Sequence, residues 1–281
     1  MTIRLLHADK TYRDSARSLW QRVFGDDPEM IDAFFDHAPF ERTCFAALSG
    51  DTMAGMLFSL PAVFYLKNTA QESRYLYAVA TDPAFRGRGV MTALEAYACD
   101  TARAEGARFA ALVPAEQSLF SMYRKLGYRT FFFHGRTQIP RMLGAEASFS
   151  PCGLNDFLAF RRGLLVLHSA AFELYPAMCV FRYEDFLRTG GEIVLAETSC
   201  GSGYLAFEEE KDTLFIRETS LSGKALALAA GALCREKDAL RVFAEGVGGK
   251  SKPYGMIKPL FQENGQKIPL KIDGYMNLML N

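Results

Sequence analysis

Arg86-Gly87-Arg88-Gly89-Val90-Met91 is the stretch on which the reading of this 281-residue chain turns. Ahead of it runs Tyr75-Leu76-Tyr77-Ala78-Val79-Ala80, an apolar run of strand type, followed by the turn signal Asp82-Pro83. Behind it Met91, Leu94, Ala98 and Ala102 fall on one face at helical spacing. A strand, a basic loop with two glycines and a helix N-terminus together make a phosphate cradle. The first-turn N–H groups lack intrahelical partners, and the helix dipole favours an anion there.

Working outward, residues 3–6 read as a short strand, residues 12–24 as a helix stopped by Gly25-Asp26-Asp27-Pro28, and residues 29–37 as a second helix. Residues 43–48 and 53–64 read as a hairpin around Gly50-Asp51. Downstream of the cradle, residues 108–113 form a strand ending at Pro114. Residues 118–126 form a short helix capped by Gly127, and residues 128–139 one long aromatic strand. Pro140, Gly144, Ser148, Ser150, Pro151 and Gly153 then crowd together as a linker would, which sets domains at 1–140 and 154–281.

The second half repeats the order of the first. Helical patterns cover 156–168 and 183–188, and a hairpin covers 192–197 and 203–209. Residues 213–220, 224–236 and 240–244 read as strand, helix and strand. At the matching position Ser220-Leu221-Ser222-Gly223-Lys224 has neither the arginine nor the second glycine. The second half is therefore a copy without the cradle. Its apolar tail, residues 275–280, reads as an edge strand of that copy.

Formal net charge is zero, which argues against a nucleic-acid partner or an anionic membrane surface. No run of about 18 apolar residues is present, and the first ten residues lack a signal-peptide core. The six cysteines are scattered without a C-x-x-C pair, a pattern of reduced core thiols in a cytoplasmic protein. The histidines, His7, His37, His134 and His168, show no metal spacing, so no metal is expected.

With the loop and its downstream context in view, the chain resembles the GNAT acetyltransferase superfamily. Arg86-Gly87-Arg88-Gly89-Val90-Met91 is similar to the family's Arg-x-x-Gly-x-(Gly/Ala) pyrophosphate loop, with Met91 in place of the last small residue. Large residues there also occur among relatives of the mycobacterial enhanced-intracellular-survival acetyltransferases. Met122-Tyr123-Arg124-Lys125-Leu126-Gly127-Tyr128 resembles the second signature, a short helix ending in Tyr-x-x-x-Gly-(Phe/Tyr). The motifs are specific over about residues 75–128; elsewhere the likeness is one of element order. Two plainer readings stand beside them. The loop alone is also what a surface turn with solvated arginines looks like, and Phe120, Tyr123 and Leu126 share core-helix spacing.

The resemblance implies an α/β (α+β) fold of two GNAT-like domains, each a mixed, mostly antiparallel sheet flanked by helices, the second degenerate. It implies acetyl-CoA as co-substrate, held by Arg86, Gly87, Arg88, Gly89, Val90, Met91 and Thr92. Val79, Ala80 and Thr81 would meet the thioester and pantetheine through their main chain, and Ala115 and Glu116 would touch the co-substrate from the partner strand. Tyr123 would be the general acid on sulfur, which suits a phenol of pKa about 10 beside a thiol of about 8.5. For the base, Asp26, Asp27 and Glu29 lie where the family forms its acceptor site. The carboxylate of Asn281 is the other candidate, since in the survival-protein branch the chain's own terminus enters the active site.

The expected activity is acetyl transfer to a primary amine of a small molecule or peptide by direct attack, in a monomer or homodimer. A non-catalytic acyl-CoA sensor or scaffold is the alternative from another class. Aminoacyl transfer from tRNA would call for a basic surface, which zero net charge does not favour. Ala244-Glu245-Gly246-Val247-Gly248-Gly249-Lys250-Ser251 fits a relaxed P-loop pattern, but Pro253, Gly255 and Pro259 forbid the helix a P-loop needs.

Overall fold

Spacing of apolar side chains sets the first elements of the chain. A computed structural model describes residues 2–140, 142, 144–246, 251–261, 274–277 and 280. After β1 (Arg4–His7) comes α1 (Arg13–Phe24), which buries Ala16, Leu19 and Trp20 at positions i, i+3 and i+4. Gly25 ends it in the left-handed conformation, returning its N–H to the Gln21 carbonyl. Asp27 caps α2 (Pro28–His37), whose first residue is a proline. A single turn, α3 (Phe40–Thr43), leads to the antiparallel strands β2 (Cys44–Ser49), β3 (Thr52–Leu66) and β4 (Thr69–Thr81). From there α4 (Val90–Ala104) crosses to β5 (Phe109–Leu112), which runs parallel to β4. The first half continues with α5 (Leu119–Lys125), β6 (Arg129–His134) and β7 (Arg136–Gln138).

The second half contains β8 (Ser148–Pro151), α6 (Leu154–Val166), β9 (Ala170–Leu174), α7 (Pro176–Arg188), β10 (Glu192–Thr198), β11 (Gly201–Glu210) and β12 (Thr213–Thr219). It then runs through α8 (Gly223–Glu236), β13 (Arg241–Glu245) and β14 (Lys252–Pro259). As in the first half, the strands either side of the long crossover helix, β12 and β13, are parallel.

Two sheets result, and they trade strands. The first has the order β1-β2-β3-β4-β5-β14-β6, with β9 pairing the far end of β3; the second has the order β7-β13-β12-β11-β10-β8. So β14, late in the chain, lies between β5 and β6, while β7, from the first half, forms an edge of the second sheet. Helices α1 and α2 cover one face of the first sheet and α4 and α5 the other, with separate apolar cores beneath them.

Four sequence expectations change here. Residues 128–139 are two strands, parted at Gly135 and sent to different sheets. The joining stretch holds a strand, β8, on the edge of the second sheet. Residues 252–259, dismissed as a P-loop helix, are β14; Pro253 and Gly255 coincide with register shifts in its pairing with β6, and Pro259 ends the strand. In its described residues the tail bridges to the first sheet instead. Its Gly274 bridges Phe132 of β6 and its Tyr275 bridges Ala171 of β9, so it joins the two margins of the first sheet.

Candidate active site

The site begins with a bulge. Between Met56–Ala80 and Phe58–Tyr77, two residues of β4, Ala78 and Val79, oppose the single Leu57 of β3. Ala78 sits at φ +47°, a region an alanine rarely adopts. On its other side β4 pairs with β5 only at Ser73–Phe109, Arg74–Ala110 and Tyr75–Ala111. Past Tyr75 the parallel strands part, and the backbone from Leu76 to Thr81 has no β5 partner. A cleft of about 580 Å³ opens at this fork. Leu76, Val79, Phe120 and Tyr123 line it from the α4–α5 face; Trp20, Asp26 and Tyr77 line it from the α1–α2 face. The cleft thus runs through the sheet, where two reactants can meet from opposite sides.

Beyond the end of β4 the chain turns into α4 through Gly87 at φ +72° and Gly89 at φ +76°, and none of residues 86–92 is among those lining the cleft. A Cβ on either glycine would meet nothing within 4 Å, so it is the backbone conformation, and not crowding, that calls for glycine. Gly89 stands at the N-cap of α4 and makes no side-chain capping hydrogen bond. Val90 turns inward onto the sheet: a Cβ on Gly55 would come within 3.0 Å of its Cγ1. Val90 therefore seats the helix, and Met91 beside it is half-buried. Arg86 and Arg88 are exposed; Arg86 donates from Nε to the Thr81 carbonyl at 3.3 Å, and Arg88 lies over the Phe85 ring.

The remaining expected residues distribute as follows. Val79 lines the cleft, Ala80 is buried beneath it, and Thr81 ends β4. Thr92 is exposed on the first turn of α4. Ala115 and Glu116 line the cleft beyond β5, with Ser118 Oγ donating to Glu116 at 3.1 Å. Tyr123, 5% exposed, lines the cleft from α5. Burial, reinforced by the Glu95 carboxylate, pushes its phenol up to about 12.

The three acidic candidates separate. Asp26 lines the cleft and accepts from the Trp20 indole N–H at 2.7 Å. Asp27 is engaged as the α2 cap and in an ion pair with Arg188, and Glu29 is exposed on the first turn of α2. Asn281 lies outside the described residues. Leu280, which precedes it, lines the cleft, and its carbonyl accepts from the buried Tyr75 hydroxyl at 2.7 Å.

Residues 3–131 match the acetyltransferase (GNAT) domain family. These residues are a GNAT domain. No curated protein matches the chain by sequence. Among solved structures, a GCN5-related N-acetyltransferase from Anabaena variabilis is similar at a TM-score of 0.76 and 17% identity, with 92% of this chain and 73% of that one covered. A GCN5-related N-acetyltransferase from Kribbella flavida follows at 0.71 and 20%, covering 92% and 72%. Eis1 from Mycobacterium abscessus gives 0.69 and 13%, covering 92% and 73%. At such identities the likeness is one of fold, and it takes in both sheets.

The second GNAT-like copy keeps the bulge. Arg217 is the extra residue of β12 between Phe207–Ile216 and Ala206–Glu218. There the Arg217 carbonyl accepts from the Asn277 side chain at 2.7 Å. The neighbouring Glu218, wholly buried, is bonded to Arg161 at 3.1 Å, Tyr204 at 2.8 Å and Tyr275 at 2.9 Å. Tyr275 and Asn277 of the tail thus bond at the bulge of the second copy.

Sequence reasoning passed over Ala78, whose residue type gives no hint of a bulge, and Glu95. Glu95 is 1% exposed within α4 and accepts from Tyr128 Oη at 2.9 Å, Cys99 Sγ at 3.0 Å and Lys258 Nζ at 3.0 Å. The Tyr128 ring meets Tyr123 edge-on, with centroids 5.6 Å apart. A charged residue on the apolar face of α4 was the available signal. The wall of Pro253 and Tyr254 was missed with β14 itself.

Proposed function

We propose that this chain is an N-acetyltransferase that moves an acetyl group from acetyl-CoA to a primary amine by direct attack. The observation that carries the proposal is the cleft through the sheet. It brings the bulged main chain of β4 together with the buried Tyr123 phenol, and a glycine loop suited to a pyrophosphate follows β4 in the chain.

In this reading the pyrophosphate rests on the N–H groups of residues 87–92, and the pantetheine arm lies along the unpaired edge of β4 with Ala115 and Glu116 opposite. The amine enters from the α1–α2 face, and its lone pair attacks the thioester carbon. The oxygen takes up the carbonyl electron pair and is met by main-chain N–H groups at residues 79–81. When the tetrahedral intermediate collapses, the C–S bond breaks and the sulfur takes the Tyr123 proton. An amine of pKa about 10 must also shed a proton to attack. Asp26 is our choice of acceptor, since it is the acidic candidate that lines the cleft.

Leu280 supports a second candidate for that proton, the Asn281 carboxylate. Appending one glycine after Asn281 separates the two: loss of turnover favours Asn281, whereas loss confined to Asp26→Asn favours Asp26. The domain limits of 1–140 and 154–281 are retained as a proposal, with the two copies exchanging β7 and β14. That five of the six cysteines are buried and all are unpaired supports a cytoplasmic setting.

The test is to mix the full chain with acetyl-CoA and a panel of primary amines and read free thiol. Amine-dependent thiol release with matching N-acetyl product is the expected result. A chain that binds acetyl-CoA and releases no thiol with any amine is instead a sensor.

A further inference from the structure

Among the described residues, the acceptor end of the cleft has one carboxylate, that of Asp26, set among aromatic rings. We infer that the acceptor is a monoamine carried on an aromatic or aliphatic body, and not a polycation; this rests on the acetyl-transfer reading above. On the α1–α2 face the cleft is lined by Trp20, Phe24, Tyr77 and Tyr254, with Leu280 beside them and Asp26 as the acidic group. Trp20 and Tyr77 meet edge-on at 5.5 Å between centroids, and Trp20 and Phe24 at 6.2 Å, so these rings form a continuous apolar floor and rim. Phe24 is 40% exposed, although it closes an otherwise apolar helix face.

Charge at this end is limited. The other ionic groups felt by Tyr77, Arg182 and Asp185, are paired with each other at 3.0 Å and so neutralise one another. Glu116 also lines the cleft, but on the other side of the fork, beyond β5. A polyamine or a multiply charged sugar would bring two or more ammonium groups into a wall whose described residues offer one counter-charge, leaving the others desolvated and unpaired. A single ammonium near Asp26, followed by an apolar body against Trp20, Tyr77 and Tyr254, loses water from matched surfaces and keeps its charge paired. Asp26 is oriented for this by the Trp20 indole, which donates to Oδ2 at 2.7 Å.

Trp20 is the sole tryptophan of the chain, so its emission reports acceptor binding directly and independently of turnover. The full chain is titrated with 2-phenylethylamine, with spermidine and with neutral 2-phenylethanol while Trp20 fluorescence is followed. Thiol release from acetyl-CoA is measured with the two amines in parallel. Half-saturation by 2-phenylethylamine at a concentration at least tenfold below that of spermidine is expected. Asp26→Asn, whose amide oxygen still accepts from the indole, should weaken 2-phenylethylamine at least tenfold while 2-phenylethanol is unchanged. Spermidine binding as tightly as or more tightly than 2-phenylethylamine overturns the inference. Tighter 2-phenylethylamine binding without thiol release from either amine sustains it and overturns acetyl transfer instead.

Discussion

Lys258 Nζ lies 3.0 Å from Oε1 of Glu95, across 163 residues of sequence, so the exchanged strand β14 neutralises a carboxylate buried in the helix that follows the glycine loop. Through Tyr128, which bonds the same carboxylate, the pair also supports the ring packed on Tyr123. Lys258→Met leaves Glu95 buried with two neutral donors. Breaking such a pair costs about 3 kcal/mol, a fall in Tm of roughly 6–12 °C for a domain of this size. Glu95→Gln with Lys258→Met should recover much of that loss in a thermal melt. A double variant no more stable than Lys258→Met would show that the charge is not the cause.

Removing the phenol isolates the chemical step. Tyr123→Phe should lower kcat roughly ten- to a thousandfold while acetyl-CoA affinity stays nearly unchanged. The pH profile adds a sign. Burial and Glu95 push the folded pKa up to about 12, so Tyr123 keeps its proton through neutral and mildly alkaline conditions and loses it only as pH climbs toward that value. With a free amine of pKa about 10 as nucleophile, kcat/KM should therefore rise from pH 7 to 9.5 without a falling limb. A decline below pH 9.5 that disappears in Tyr123→Phe would remove this residue as the acid.

Gly89→Ala tests the loop. At φ +76° an alanine costs about 1–2 kcal/mol, yet its Cβ meets open space, so the fold should persist with a small drop in Tm. The strain relaxes by turning the first N–H groups of α4. KM for acetyl-CoA should rise roughly tenfold, about 1.4 kcal/mol, with kcat little altered. The measurement is initial rate against acetyl-CoA at saturating amine.

Truncation at residue 140 tests the strand exchange. Residues 1–140 lack β9 and β14, so β5 and β6 would each present an unpaired edge above an open core. The fragment should sediment as aggregate or melt without cooperativity. A monomeric fragment with a sharp melt would mean that β14 is dispensable.

Local chemistry was legible in the sequence and long-range pairing was not. Gly87 and Gly89 before a helix, Asp27-Pro28 at a helix start and Gly25 at a helix end each fix backbone by residue type, and those elements stand where the sequence places them. Tyr123 lines the cleft at a distance from the loop set by one helix, one strand and two short connections, all of them legible in the sequence. The bulge at Ala78 was not, because it follows from register against β3 and not from alanine. β14 was hidden by Pro253, Gly255 and Pro259, which read as breakers; here they fall at bulges and at the strand's end. Asp26 was named among three acids, and packing against Trp20 separates it from Asp27 and Glu29.

The place of β14 also bears on how the protein is made. β6 ends at His134 and β14 begins at Lys252, so at about 5–20 residues per second a ribosome leaves a gap of roughly 6–24 seconds between them. Throughout that interval the nascent first half has a fork whose lower strand lacks its neighbour, and Glu95 has no lysine beside it. The cleft is therefore complete only after Pro253 and Tyr254, which line it, have emerged. Chaperone occupancy during synthesis should be concentrated on the half that was translated first.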